Sequence, residues 1–404
     1  MKLSFPKLHA EFTKGGYFLL ILFLGILCSI GRIELSSGLS LYFSKSKSLG
    51  DLPVRFSLSS LFTRSHKNRF SLILFFLGTL LTLGIAHQPL LPPAQAQEVE
   101  LTLVSFAVTR AAYDRIIPNF VDYWQKEKGQ KVTFQQSYGG SGSQTRAVID
   151  GLPADIVHLA LALDTDRLVQ ENLVKPDYQQ RIPNDATVTR SVATIWTREG
   201  NPKGINDWTD LAKDGVQLIT ANPKTSGVAR WNFLALWGAV TETGGTEAEA
   251  IDFVTHAYNN VPILTRDARE ATDIFLEKGQ GDALINYENE ALLAQLEGKT
   301  VNFTVPQVNI SIDNPIAVVD ANVDQRGTRE VAEAFVNYLF TPEAQRIFAS
   351  VGFRPVDPQE AKRYEEKFPP VKTLFTVDSL GGWQEVQEKF FADGALFDQI
   401  QSSR

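Results

Sequence analysis

From residue 99 onward, the chain alternates between short segments with a two-residue hydrophobic period and longer segments with a helical period. The alternation over 99–106 predicts a strand, and the pattern over 110–128 predicts an amphipathic helix directly after it. Further strands are predicted at 132–137, 156–160, 192–197, 217–221, 261–264, 283–286 and 316–319. Further helices are predicted from the end of a Gly-rich loop to Ile149 and at 230–240, 247–259, 269–277, 288–296 and 329–339. Because strands and helices alternate without an internal repeat or a low-complexity linker, the pattern predicts an α/β fold.

The charge of the chain is divided unevenly along its length. Residues 1–96 carry ten Lys and Arg residues against three acidic residues, a net charge of +7, whereas the rest of the chain has a net charge of −14. An acidic body argues against a nucleic-acid partner, since phosphates attract basic surfaces. The single cysteine, Cys28, lies in the basic part, so the sequence predicts neither a disulfide framework nor a thiolate metal site.

Two uncharged apolar stretches, 15–31 and 70–86, lie in this basic part. The second follows a basic cluster and precedes an Ala-Gln-Ala site that ends at Ala96. This order is typical of a cleaved export signal, so we predict a signal peptide over 54–96. Two interpretations stay open for residues 1–53, which are either an over-extended gene start or contain a transmembrane anchor of marginal length.

Residue types that commonly carry catalysis are sparse in the acidic body. We interpret its two histidines, His158 and His256, as core or surface residues rather than ligands. The Gly-Ser loop at 139–143 has the wrong spacing for a nucleophile elbow. We interpret Glu288 and Glu290 as solvated charges at a helix start, because residues two apart do not share a helix face. The sequence therefore predicts no catalytic residue, no metal site and no cofactor.

Three turns lead from a predicted strand into a predicted helix and carry glycine, serine or small residues. They are YGGSGSQ (138–144), NPKTSGVAR (222–230) and RDAREATD (266–273). Amide groups at a helix start carry partial positive charge and have no partner within the helix, so such turns suit a compact anion. Composition alone fits a tight turn with serine caps equally well.

These turns, together with FRPVDP (353–358) and GALFDQI (394–400), resemble the bacterial sulfate/thiosulfate-binding proteins that feed ABC importers. The resemblance covers nearly all of 99–400, and NPKTSGVAR is its most specific motif. It implies a two-lobed periplasmic binding protein fold of type II-like form, with mixed sheets, flanking helices and a hinge. We place lobe 1 at 97–192, lobe 2 at 193–311, and the return to lobe 1 with the C-terminal helices at 312–404.

The resemblance implies an anion site built mainly of neutral donors. Carried over by motif, its residues are Ala107, Ser141 (amide and hydroxyl), Ser226, Gly227, Val228, Ala268 and Tyr287. Ala107 stands where the family has an aspartate that donates through its backbone, and Tyr287 stands where it has a tryptophan. A phenol can accept as well as donate, so the preferred oxyanion stays open among sulfate, thiosulfate, molybdate and phosphate. Arg110, Arg230 and Arg269 are either a second layer around the anion or surface ion pairs.

A site made only of donors suits sulfate, which carries no proton at neutral pH. Hydrogen phosphate would bring a proton that lacks an acceptor, which is unfavourable in a buried site. We therefore expect a periplasmic, monomeric binding protein that captures sulfate or thiosulfate between its lobes. It would deliver the anion to the transmembrane subunits of an ABC permease and do no chemistry. An anion-dependent enzyme on the same scaffold, and a membrane-tethered sensor if 17–30 is retained, stay open as alternatives.

Overall fold

A computed structural model of the chain describes residues 98–403, so the predicted signal peptide and the possible anchor lie outside the described residues. The strands are β1 (Val99–Phe106), β2 (Val132–Gly139), β3 (Ile156–His158), β4 (Thr187–Ser191), β5 (Ala193–Thr197), β6 (Leu218–Ala221), β7 (Leu264–Thr265), β8 (Ala283–Tyr287), β9 (Asn302–Thr304), β10 (Val308–Ile310), β11 (Ile312–Val318) and β12 (Thr373–Phe375).

The helices are α1 (Arg110–Lys128), α2 (Ser141–Ile149), α3 (Ala162–Gln170), α4 (Tyr178–Arg181), α5 (Gly227–Thr241), α6 (Glu247–Asn259), α7 (Ala268–Leu276), α8 (Glu288–Leu296), α9 (Asp320–Arg326), α10 (Arg329–Tyr338), α11 (Pro342–Ser350), α12 (Pro358–Arg363), α13 (Gly382–Val386) and α14 (Leu396–Ser402). Shorter helical turns lie at Ala107–Thr109, Pro183–Ala186, Trp208–Ala212, Val377–Leu380 and Gln387–Phe391.

Two five-stranded mixed sheets organise these elements. The first has the order β2-β1-β3-β11-β4, in which β2, β1 and β3 are parallel and β11 is antiparallel to β3 and β4. The second has the order β7-β6-β8-β5-β9, in which β7, β6 and β8 are parallel and β5 is antiparallel to β8 and β9. We call each sheet with the helices packed against it a lobe. The chain passes from the first lobe to the second between β4 and β5, and it returns before β11.

Helix α5 is the central helix of the second lobe. Its sequence is apolar on nearly all sides, and such a helix has to be enclosed by other elements. One side faces the second sheet, and the other receives the aromatic side chains of the C-terminal segment, with ring centroids of Trp237 and Phe390 4.7 Å apart. At Gly238 an added Cβ would lie 2.1 Å from the ring of Phe375, so this close approach requires glycine.

Most predicted elements agree with the structure. The predicted bounds of β1, α1, α6 and α8 are confirmed. The strand predicted at 261–264 is wrong, because pairing with β6 begins only at Leu264 and Pro262 has no N–H to donate to a ladder. The elements that were not predicted include helices α3, α9 and α11 and strands β4, β9 and β12. Within residues 98–403, no helix is both long enough and apolar enough to cross a membrane.

Candidate functional site

A small cavity lies between the two lobes. Its lining consists of Phe106, Ala107, Val108, Gly139, Gly140, Ser141, Ala160, Ser226, Gly227, Val228, Asp267, Ala268 and Tyr287. The structure thus brings all seven residues implied by the resemblance to one cavity: Ala107, Ser141, Ser226, Gly227, Val228, Ala268 and Tyr287. That these residues bind an anion stays a prediction.

The register of the strands places the cavity-lining residues of the first lobe at one edge of its sheet. In the parallel pair β1 and β2, Phe106 lies opposite Gly139, and in the pair β1 and β3, Ser105 lies opposite His158. The carboxyl ends of parallel strands meet at the same edge, where open α/β sheets place their binding sites. The turn Ala107–Thr109 and the start of α2 therefore lie side by side.

The second lobe repeats this arrangement. Its parallel strands β6 and β7 lead into α5 and α7, and β8 ends at Tyr287, from which α8 starts. The starts of α5 and α7 consequently face the same cavity as the start of α2. The lobes approach closely here, since an added Cβ on Gly140 would lie 2.5 Å from the carbonyl oxygen of Thr225. Only glycine permits this approach.

The starts of α2, α5 and α7 line the cavity. The first N–H groups of a helix have no acceptor within that helix. The N-cap residues of α2 and α5, Gly140 and Ser226, make no side-chain capping bond, whereas Asp267 caps α7 by accepting from the amide of Glu270 at 3.0 Å. The amides of Ser141, Gly227 and Ala268 are thus suited to a ligand that accepts hydrogen bonds.

The hydroxyl of Ser141 is engaged within the protein. It donates to Oδ2 of Asp164 at 2.6 Å and accepts from the amide of Ala160 at 3.0 Å. A hydroxyl has one proton, so in this arrangement it cannot also donate to a bound anion. The backbone amide of Ser141 is therefore the group that this arrangement leaves for the cavity, and donation by its hydroxyl to an anion stays a prediction.

Tyr287 brings a buried phenol to the cavity. Its side chain is 1% exposed, and its hydroxyl has no hydrogen-bond partner among the described residues. Burial raises the pKa of Tyr287 well above its usual value, and the charges of Asp164 and Glu290 raise it further. The phenol therefore keeps its proton at neutral pH and can donate it to a ligand.

The arginines near the site lie in different surroundings. Arg230 is only 6% exposed, with Nη1 3.6 Å from Oδ1 of Asp164, so its interpretation as a surface ion pair is wrong. Arg269 places Nη2 2.8 Å from Oε1 of the buried Glu290. Arg110 is exposed, with its guanidinium 4.4 Å from the ring centre of Tyr138. The two partly or fully buried arginines are therefore each balanced by a carboxylate.

The interpretation of Glu288 and Glu290 as solvated charges is wrong. Both are 1% exposed. Glu288 accepts from Nε and Nη2 of Arg354 at 2.7 and 2.9 Å, and Glu290 accepts from Thr272 Oγ1 at 2.9 Å. The first turn of α8 is enclosed from two sides, by the segment that carries Arg354 and by α7, so two residues that do not share a helix face are both buried.

The histidines lie outside the cavity lining. His158 is buried, with Nδ1 2.7 Å from the hydroxyl of Tyr113, and His256 is exposed on α6, as the core-or-surface interpretation expected. Sequence reasoning missed Ala160 and Asp164, which hold the Ser141 hydroxyl. Their role depends on contacts between distant segments, and no local pattern signals it. Within residues 98–403, no group of His, Cys, Asp and Glu is arranged to hold a metal ion.

Two mixed α/β lobes that enclose a small cavity lined by helix starts define a two-lobed solute-binding protein. The family model described as bacterial extracellular solute-binding protein matches residues 101–354, and the chain belongs to this family.

Individual relatives extend over most of the chain. A sulfate-binding protein of Synechococcus elongatus is 58% identical over 312 residues, which are 76% of this chain and 88% of the relative. A thiosulfate-binding protein of Pseudomonas aeruginosa is 40% identical over 330 residues, 81% of this chain and 98% of the relative. Among solved structures, the sulfate-binding protein SubI from Mycobacterium tuberculosis H37Rv is 39% identical with a TM-score of 0.67, covering 72% of this chain and 99% of that chain.

Proposed function

We propose that this protein captures sulfate or thiosulfate in the cavity between its lobes and delivers the anion to the transmembrane subunits of an ABC permease. The observation that carries the proposal is the convergence of helix starts from both lobes on one cavity. The names of the relatives, which are sulfate- and thiosulfate-binding proteins, support the same ligand class.

The anion would be held by seven donors, most of them backbone amides. They are the amides of Ala107, Ser141, Gly227, Val228 and Ala268 and the hydroxyls of Ser226 and Tyr287. Hydrogen bonds to a charged group contribute about 1.5–3 kcal/mol each. Seven such bonds can offset most of the free energy needed to remove a dianion from water.

The cavity favours an anion without protons. Its lining includes one carboxylate, Asp267, which accepts from the amide of Glu270 and lies 3.4 Å from Nε of Arg266. A proton on hydrogen phosphate would therefore compete with bonds already made, or would stay unpaired at a cost of about 1–3 kcal/mol. This difference supports sulfate or thiosulfate over phosphate.

We further propose that the protein works in the periplasm as a monomer and catalyses no reaction. The Ser141 hydroxyl is bound to Asp164, so it is not poised as a nucleophile in the cavity. N-terminal sequencing of the exported protein should find Gln97 or Glu98 first, and recovery of residues 17–30 in the membrane fraction would instead support an anchor.

Calorimetry with a panel of oxyanions tests the proposal most directly. The full chain, purified in the form that the producing cell releases, would be titrated with sulfate, thiosulfate, molybdate and phosphate. We expect saturable binding of sulfate or thiosulfate at one site, with phosphate much weaker. Phosphate or molybdate bound more tightly than either sulfur oxyanion would overturn the assignment. Turnover of a sulfate or phosphate ester would identify an enzyme instead.

A further inference from the structure

The backbone carbonyl of Ala160 accepts hydrogen bonds from both lobes. Ala160 follows β3 in the first lobe and lines the cavity. Its oxygen accepts from Nδ2 of Asn314 at 2.8 Å and from the indole Nε1 of Trp231 at 2.8 Å. Asn314 lies on β11 of the same lobe, whereas Trp231 lies on α5 of the second lobe. One bond is therefore internal to the first lobe, and the other crosses the cleft.

The two bonds differ in what happens when the lobes separate. The Asn314 amide is held within the first lobe, because its Oδ1 accepts from Thr189 Oγ1 of β4 at 3.1 Å. When the lobes separate, the Ala160 oxygen thus keeps its hydrogen bond from Asn314, and only the indole N–H of Trp231 has to exchange its protein acceptor for water. A buried carbonyl left without any partner would oppose opening strongly. The bond across the cleft can therefore form and break reversibly.

Trp231 also lies close to the anion-facing start of α5. It is four residues after Gly227, so both residues face the same side of the helix. That side faces Ala160, since an added Cβ on Gly227 would lie 2.4 Å from the Ala160 Cβ. The Trp231 bond therefore sets the distance between the first turn of α5 and the opposite wall of the cavity.

We infer that Trp231 is a positioning residue for closure, whose indole N–H bonds the Ala160 carbonyl only when the lobes meet. The bond holds the amides of Gly227 and Val228 against the anion and slows reopening. This inference rests on the proposed function, because closure is assumed to trap an oxyanion. Loss of one neutral hydrogen bond from the closed state should speed ligand release by about two- to tenfold. The association rate should stay unchanged, because the bond is absent before the lobes close.

The test compares Trp231→Phe with Trp237→Phe in the full-length protein. Trp237 is a matched control, since it is a buried tryptophan of the same helix whose ring packs on Phe390 of the C-terminal segment. Release of radiolabelled sulfate into excess unlabelled sulfate measures dissociation without relying on tryptophan fluorescence. We expect faster release for Trp231→Phe, with wild-type release for Trp237→Phe. Circular dichroism should show both variants folded.

Equal rates of sulfate release from Trp231→Phe and from the wild-type protein would overturn the inference. Equally faster release from Trp231→Phe and Trp237→Phe would overturn it as well. If Trp231→Phe does not fold, benzothienylalanine at position 231 keeps the ring shape and removes only the N–H donor. Release from that protein at the wild-type rate would also overturn the inference. Failure of the wild-type protein to bind any oxyanion of the panel would overturn the proposed function, and with it the inference. Binding by wild type with an unaltered variant overturns the inference alone.

Discussion

Ser141 and Ser226 both line the cavity, yet removal of their hydroxyls should affect different properties of the protein. The Ser141 hydroxyl donates to the buried Asp164 and accepts from the Ala160 amide. Ser226 is the N-cap of α5 and makes no side-chain capping bond. The Ser226 hydroxyl is therefore the one available to an anion, and the Ser141 hydroxyl is part of the protein's internal hydrogen bonding.

The structure sets the magnitude for each substitution. In Ser226→Ala a charge-assisted donor of about 1.5–3 kcal/mol is lost, which weakens sulfate binding by about 10- to 150-fold. In Ser141→Ala the Asp164 carboxylate loses a donor at 2.6 Å in a buried position, which should lower the free energy of unfolding by about 1–3 kcal/mol. The amide of residue 141 remains, so sulfate affinity should change much less.

Calorimetric titration with sulfate measures the affinity, and urea denaturation without ligand measures the free energy of unfolding. Ser143→Ala is the control, because Ser143 is an exposed residue of the same loop whose hydroxyl accepts from Arg146 at 3.1 Å. It should change neither quantity. The reasoning is refuted if Ser141→Ala weakens sulfate binding as much as Ser226→Ala while the stability of the ligand-free protein is unchanged.

Three further predictions concern a donor, a close contact and a buried base. Tyr287→Phe removes a buried hydroxyl that has no hydrogen-bond partner among the described residues. Sulfate affinity measured by calorimetry should therefore fall about tenfold or more, while thermal stability should stay unchanged. Unchanged affinity would show that Tyr287 does not bind the anion. Gly227→Ala places a Cβ 2.4 Å from the Ala160 Cβ across the cleft, so small-angle scattering with sulfate should show incomplete closure of the lobes. Gly142→Ala is the control, because its added Cβ has no neighbouring atom nearer than 3.5 Å, and its lobes should close normally. Burial lowers the pKa of His158 from 6.5 to about 3, so as the pH falls the unfolded chain binds a proton at this histidine before the folded protein does. The free energy of unfolding therefore decreases as the pH falls from 6.5 towards 3. The loss should reach about 2 kcal/mol at pH 5, and urea titrations should show that His158→Gln removes this part of the pH dependence while His256→Gln does not.

Hydrophobic periodicity predicted the elements whose two faces meet different surroundings. Helix α1 has one buried and one exposed side, so its pattern marks both ends. Helix α3 follows an apolar run whose pattern is that of a longer β3. The change from extended to helical backbone occurs after Leu161, which is the N-cap of the helix. Local sequence does not show that β3 ends at His158, because its length depends on pairing with β1 and β11.

The positions of the site residues were predictable from motifs, but their hydrogen bonding was not. Turns that follow parallel strands of one sheet have to meet at the same edge, so the proximity of Ser141 to the turn Ala107–Thr109 follows from the fold. The bond from Ser141 to Asp164 joins residues 23 positions apart, and its geometry depends on how α2 packs against α3. The burial of Glu288 likewise depends on Arg354, which lies 66 positions away.

The acidic body can bind a dianion because the charged groups near the cavity cancel in pairs. Arg230 lies beside Asp164 and Arg269 beside Glu290, so each arginine's charge is neutralised by a carboxylate. Neither arginine therefore attracts anions without regard to their hydrogen-bonding capacity. Binding then depends on how many amides and hydroxyls the ligand can satisfy at once. These donors come from both lobes, so a ligand that accepts few hydrogen bonds contacts one lobe and has little differential affinity for the closed state. In the proposed function, selectivity and closure consequently arise from the same set of donors.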